Sequence, residues 1–328
     1  VAGYSRRTEW HAVSAWRDPR FWMRVAALGF LVVALFVPAI RVLRDVYTIV
    51  AVLDITGSMN VRDQRLDGAE VSRLAMEKRA VRRLLASLPC GSRLGVAIFV
   101  EKQPFLLFEP VEVCENFAPL DEEIGAIDWR MGWDSESHIA QTLRTSMTTA
   151  EGLSADLVFL TDGQETPPLW WNAAPDFAAV RGRVSGVIVG VGGDAFSPIP
   201  KFDHFGREIG VFKPGDVPAE KEGMFRGREH LSAVDEPHLR ALASASGLAY
   251  MRLRDENSLF PAIQQSARPR VKADVMRVRW PFASSSLALL LMATLGPNIQ
   301  KFFGSFFRKR TAFLLLGRRM RSPPTTDK

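Results

Sequence analysis

Cysteine, tyrosine and histidine are scarce, with two, three and five in 328 residues. Cys90 and Cys114 are isolated thiols with no histidine nearby, so they do not make a zinc site. P-loop, HExxH and GxSxG signatures are absent, and nothing indicates an ATPase, a zincin or a serine hydrolase. No internal repeat and no low-complexity tract is found. Acid is nearly missing from one region. Residues 297–328 hold Lys301, Arg308, Lys309, Arg310, Arg318, Arg319, Arg321 and Lys328 against Asp327 alone. That tail carries +7 and the whole chain +6, so everything before it sums to −1. The basic balance therefore belongs to the tail, where it suits an anionic inner leaflet. No basic surface for nucleic acid is left.

Hydrophobicity is unevenly spread. Phe21–Ile40, "FWMRVAALGFLVVALFVPAI", has one charge, Arg24, near its entry, and is long enough to cross a bilayer. Arg6, Arg7, Arg17, Arg20 and Arg24 precede or open it against Glu9 and Asp18, so the positive-inside rule keeps residues 1–20 cytoplasmic. Val37-Pro-Ala39 offers small residues to a signal peptidase, but the leading region is long for a signal, and an uncleaved anchor is expected. A second, shorter span is expected over Trp280–Gly296. Both termini then lie in the cytoplasm of a bacterial inner membrane, with the middle of the chain in the periplasm. "FFGSFFRKR" from Phe302 could rest on the interface. The exported segment holds both cysteines, and an oxidising compartment permits a disulfide that spacing alone does not establish.

Within that segment, Val46–Leu53 is β-branched and almost continuously apolar, as a strand buried on both faces should be. Gly68–Leu88 has apolar residues at helical spacing, and Pro89-Cys-Gly91 ends it. Arg93–Val100 predicts a second buried strand, with Gln103–Glu109 as an edge strand beside it. Helices are expected over 116–127, 139–150 and 239–246, and strands over 156–161, 184–191 and 248–253. Strands alternate with helices, which predicts a parallel-type α/β sandwich over 46–255. Residues 195–232 lapse into irregular sequence rich in Pro, Gly and charge. A loop that long inside a compact domain is usually functional or mobile.

The first strand runs into "LDITGSM". Alternation puts Asp54, Thr56 and Ser58 on one side of an extended segment. Three oxygen side chains at the carboxyl end of a buried strand suit a hard cation such as Mg²⁺, although the same residues are common in turns. Ser137, in "DSESHIAQTL", precedes a helix. Asp162 follows the strand "DLVFLT". In such sheets ligands bind outside the carboxyl ends of the strands, so all three clusters share one edge.

This constellation resembles the metal-ion-dependent adhesion site of von Willebrand factor A domains: D-x-S-x-S, then a distant Thr, then a distant Asp. The resemblance implies Mg²⁺ held by the Thr56 and Ser58 hydroxyls, with Ser137 in the role of the Thr. Asp54 and Asp162 would act mostly through bound waters. Thr56 replaces the family's first Ser and Ser137 its Thr, and both keep a hydroxyl. One coordination position would stay open for a partner's acidic residue. An A domain between membrane segments resembles the bacterial accessory proteins linked to methanol oxidation and to aerotolerance. "LPCGSRLGVAIF" from Leu88, "FLLFEPVEVCENFAPLD" from Phe105 and "SPIPKFDHFGREIG" from Ser197 resemble the MxaL-type accessory proteins in particular. That resemblance implies calcium insertion into a periplasmic methanol dehydrogenase carrying pyrroloquinoline quinone. Its partners would be that enzyme or other maturation proteins. A generic membrane-anchored interaction module of the aerotolerance type is the alternative.

The enzymatic rival is a phosphotransferase of the haloacid-dehalogenase type. Its general acid would stand at position 56, which is Thr, so a non-enzyme is expected. His138 is expected at a helix start, and Glu165 as an exposed loop acid. Trp129, Trp133, Trp170 and Trp171 bracket the edge, either as a rim that grips a partner or as packing. Ser135 competes with Ser137 for the distant hydroxyl.

Overall fold

The computed structural model describes residues 18–37, 40–132, 136–166, 175–216, 230–276 and 279–294. The chain divides into two compact units, one of them Leu43–Lys272 and the other comprising the segments on either side.

In the flanking unit, α1 spans Pro19–Phe36, with Asp18 accepting the Arg20 amide and proline in the first turn. Proline at this place lacks only an N–H that would be orphaned anyway. The helix stops before the expected Ile40 because Val37 is extended ahead of Pro38. A second helix of this unit covers Trp280–Thr294. Ala27 and Ala34 of α1 are buried, as are Ser286 and Ala293 of the second helix. The Ser286 hydroxyl donates to the Ala27 carbonyl at 2.8 Å, and Phe30 meets Phe282 at 6.5 Å between centroids. Small residues let the two backbones approach, as in packed membrane helices. Outward, Val25, Leu28, Leu31, Leu35, Leu287 and Leu291 are exposed. Of the described helices, α1 alone is long and apolar enough to cross a membrane, and Trp280–Thr294 is apolar but shorter. The "FFGSFFRKR" segment and the basic tail lie outside the described residues, as do residues 1–17.

The other unit is an α/β sandwich. In chain order its elements begin with β1 (Ile40–Val46), β2 (Thr48–Asp54), β3 (Gln64–Leu66), β4 (Ala69–Val71) and α2 (Arg73–Ser87). Then come β5 (Arg93–Val100), β6 (Gln103–Glu112), α3 (Phe117–Ala126), α4 (Ile139–Gly152), β7 (Asp156–Thr161) and β8 (Gly186–Gly190). Short strands β9 (Ser197–Pro198), β10 (Pro200–Phe202), β11 (Glu208–Val211) and β12 (Leu231–Ser232) precede α5 (Glu236–Ser246) and β13 (Ala249–Arg252). The unit closes with α6 (Leu259–Ser266) and β14 (Arg270–Met276), and β14 pairs with β1.

Six strands form the central sheet in the order β13-β8-β7-β2-β5-β6. All neighbours are parallel except β5 and β6. Every residue of β2 and β7 is buried, as the continuous apolar runs required. Alternation sorts the side chains onto two faces. Ile49, Ala51 and Leu53 pack with α2, α3 and α6, while Val50 and Val52 pack with α4 and α5. Phe99 and Phe159 stack at 5.2 Å on the second face. Parallel sheets need both faces covered, and here they are.

One expected helix begins later than its periodicity suggested. Residues 64–71 form the β3–β4 hairpin, turned by Asp67 and Gly68 at φ 51° and 83°. Asp-Gly favours this two-residue turn because both positions need positive φ. The helix then starts behind Ser72, whose hydroxyl accepts the Ala75 amide. The irregular stretch 195–232 is partly ordered. It holds the β10–β11 hairpin and the β9–β12 pair, and residues 217–229 lie outside the described residues. Cys90 and Cys114 are disulfide-bonded.

Candidate metal centre

Strand order fixes where the site lies. From β2 the chain proceeds outward to β5 and β6 on one side, and β7, β8 and β13 build the other. The crevice between the carboxyl ends of β2 and β7 is thus the switch point of the sheet, where open α/β sheets bind ligands. Leu53 registers with Leu160, so the next residues, Asp54 and Thr161, face each other. The Thr161 hydroxyl donates to Asp54 Oδ2 at 2.7 Å. Asp54 Oδ1 accepts the Thr56 amide at 2.9 Å and the Thr56 hydroxyl at 2.6 Å. Thr56 Oγ1 lies 3.4 Å from Ser58 Oγ, and Ser58 lies in a short 3₁₀ turn, Gly57–Asn60. The first three predicted residues therefore form one cluster. Asp54 is fully buried and Thr56 nearly so.

Asp162 stands at the other side of the crevice, fully buried. Its Oδ1 accepts the Gln164 amide at 3.0 Å, and its Oδ2 accepts Arg73 Nη1 at 2.8 Å and the Ser232 hydroxyl at 3.1 Å. Ser137 is carried to the same edge by its backbone. Its amide donates to Thr166 at 2.8 Å, and the His138 amide donates to the Glu101 carbonyl just past β5 at 2.9 Å. The Ser137 hydroxyl is buried and has no hydrogen-bond partner among the described residues. Ser135, Trp133, Trp170 and Trp171 lie outside the described residues. Trp129 packs on Phe202 of β10 at 4.5 Å.

One expectation changes. Glu165 is not an exposed acid. Its carboxylate accepts the Ile139 and Ala140 amides at 3.0 and 2.7 Å, capping α4, and its side chain is 7% exposed. A carboxylate there satisfies orphan amides and suits the positive end of the helix. His138 precedes α4 as expected, and its Nε2 meets Glu136 at 2.8 Å.

Other members of the cluster escape a motif reading. Arg73 is fully buried in the first turn of α2. Its Nε and Nη2 hold Asp63 at 2.6–3.1 Å, Nη1 holds Asp162 and the Ser232 hydroxyl, and Nη2 also reaches the Ser232 carbonyl. Gly192, at φ 136°, leaves room for this guanidinium, since a Cβ there would meet Arg73 Nε at 2.8 Å. Glu77, one turn further along α2, is also fully buried. Arg and Glu on an amphipathic helix suggest a solvated face. Here, however, Arg73 and Glu77 stand in register with Ala80, Val81 and Leu84 on the buried stripe. That register was the readable signal.

Charge in this crevice is under-compensated. Burial first, and the Asp162 carboxylate second, push Asp54 up to about 7, against the hydrogen bonds from Thr56 and Thr161. Glu77 is driven well above the usual carboxylate range by burial, then by Asp54 and Asp162, with Arg73 opposing. Burial also works against the Asp63 carboxylate, but the hydrogen bonds and charge of Arg73 outweigh it and hold Asp63 below that range. Among the described residues no three His, Cys, Asp or Glu side chains converge as direct ligands. The donor set is one of hydroxyls backed by carboxylates. An orphaned buried hydroxyl beside a surplus of negative charge fits a hydrated hard cation such as Mg²⁺.

Residues 49–164 match the family model of the von Willebrand factor type A domain. No curated protein matches. Among solved structures, the chain is similar to an aerotolerance-related membrane protein from Bacteroides fragilis at 18% identity. That match covers 67% of this chain and 97% of the other, with a TM-score of 0.45. A von Willebrand factor type A protein from Catenulispora acidiphila is 13% identical over 76% of this chain and 46% of its own, with a TM-score of 0.39. An uncharacterized membrane spanning protein from Vibrio fischeri is 21% identical over 68% of this chain and 96% of its own, with a TM-score of 0.26. The matched segment, 49–164, runs from β2 past Asp162 and contains all five predicted ligand positions.

Proposed function

We propose that this chain is a membrane-anchored, non-enzymatic interaction protein whose A domain binds a partner through a divalent cation, with Mg²⁺ as the resident ion. One observation supports the reading: Asp54, Thr56 and Ser58 cluster at the carboxyl end of β2 with Asp162 following the neighbouring strand, and the buried Ser137 hydroxyl has no hydrogen-bond partner among the described residues. Thr56, Ser58 and Ser137 would hold the ion by their hydroxyls. Asp54 and Asp162 would orient its waters. A cation held by so few direct charges stays electrophilic and can accept a carboxylate from a partner. The chain's own part is to position. Thr161 and Thr56 fix the Asp54 carboxylate, and Arg73 fixes Asp162.

The anchor reading rests on α1 and its packing with Trp280–Thr294. The basic flanks of both ends favour cytoplasmic termini and a periplasmic domain in a bacterial inner membrane. The Cys90–Cys114 bond suits that oxidising compartment. A more specific client, methanol dehydrogenase awaiting calcium, is favoured by the local stretches similar to MxaL-type accessory proteins.

The test is co-purification of the full chain with periplasmic proteins in Mg²⁺ and in EDTA. A partner retained only in Mg²⁺, and lost with Asp54→Ala, is expected. Retention in EDTA would sink the shared-cation mechanism. For the specific client, calcium per active site is measured in methanol dehydrogenase from cells carrying Asp54→Ala. A calcium-poor enzyme is expected, and a fully loaded one would leave the client unknown.

A further inference from the structure

Glu77 presents a problem that the predicted ligand set does not solve. It is fully buried, and neither carboxylate oxygen has a hydrogen-bond partner among the described residues. A buried charge without compensation is strongly destabilising, and such groups persist only where something answers them. The nearby cation cannot. Arg73, one helical turn away on the same face of α2, offers five N–H donors. All are engaged, by Asp63, Asp162 and the two oxygens of Ser232. A neutral Glu77 would still need an acceptor for its own O–H, and none lies within reach. The charges that act on Glu77 are Asp54, Asp162 and Arg73, the groups that line the crevice.

We infer that Glu77 is a third carboxylate of the cation site, acting through the ion's waters from the α2 side. This rests on the reading of the crevice as a divalent-cation site. Asp63 and Asp162 pair with the Arg73 guanidinium, whereas Asp54 and Glu77 have no cationic partner within hydrogen-bonding distance among the described residues. A hydrated divalent ion would be the natural counter-charge for those two carboxylates. Glu77 works through water because no three acidic side chains among the described residues converge as direct ligands. The buried Ser137 hydroxyl, unpartnered among the described residues, is an independent polar group on the same edge suited to an ion or its water. Compared with a site of two aspartates, the third charge strengthens ion binding and weakens the ion-free fold.

The two effects have opposite signs, and a purely structural role would not produce both. Mg²⁺ is titrated calorimetrically into the detergent-solubilised full chain and into Glu77→Gln, with thermal unfolding of each followed in EDTA. Binding by Glu77→Gln at least about tenfold weaker, as for other groups that orient metal-bound waters, is expected together with a higher unfolding temperature in EDTA. Glu77→Met, of similar volume and without a polar atom, should behave alike and serves if the amide variant does not fold. Unchanged affinity in the folded variants would overturn the assignment. A wild-type chain that binds no Mg²⁺ would instead overturn the site reading beneath it.

Discussion

Asp54 and Asp162 end neighbouring strands, are equally buried, and are secured by opposite means. The Asp54 corner is built from hydroxyls and one amide, all from residues 56 and 161, and contains no cation. The Asp162 corner is built around a buried guanidinium that spans 99 residues of chain from Asp63 to Asp162. One carboxylate is met by neutral donors, while the other is paired with a guanidinium that ties α2 to the sheet. The difference teaches that identical residues of one motif can divide the work. Asp54 should govern ion binding, and Asp162 both ion binding and stability.

Breaking the Asp162 corner should have the largest effect. Arg73→Met leaves Asp63 and Asp162 buried without their partner, and losing one side of a buried pair costs about 3–5 kcal/mol. Urea unfolding in EDTA should show that loss, and a cost under about 1 kcal/mol would mean the guanidinium is incidental.

The Asp54 corner should instead reveal itself through pH. Its carboxyl is pushed up to about 7 in the fold from its ordinary value of 3.8. Between those values the folded, ion-free protein holds a proton that the unfolded chain has released. Stability in EDTA should therefore fall as pH rises from about 4 toward 7. Asp54→Asn should remove that part of the slope, and saturating Mg²⁺ should oppose it. An identical slope in the variant would place the proton elsewhere.

Ser137→Ala should be milder. The hydroxyl has no protein partner to lose, so ion-free stability should hardly change while Mg²⁺ affinity drops by about tenfold or more. A stability loss with unchanged affinity would show that the hydroxyl serves the fold. Smallest of all, Thr56→Ser keeps the hydroxyl and should leave Mg²⁺ affinity within about twofold, well under the 1.4 kcal/mol that a tenfold change represents.

The same contrast explains what the sequence could reveal. Buried strands were legible because their apolar runs are long and end in turn residues, and β5 and β7 fall where expected. Asp54, Thr56, Ser58 and Asp162 were legible because a strand end fixes where they stand. Asp63, Arg73 and Glu77 were not. Their partners lie far along the chain, and charged residues on an amphipathic helix read as its wet side. The β3–β4 hairpin was hidden for another reason, since helical spacing ran across an Asp-Gly turn. Glu165 looked like a loop acid until α4 packed its first turn against it.

Mg²⁺ titration of the full chain, beside Asp54→Ala at the same pH, tests the central claim most directly. Stoichiometric binding by the wild-type protein, abolished in the variant while its unfolding transition persists, is expected. Absence of binding, or equal binding by both, would contradict a cation centre at the β2–β7 crevice.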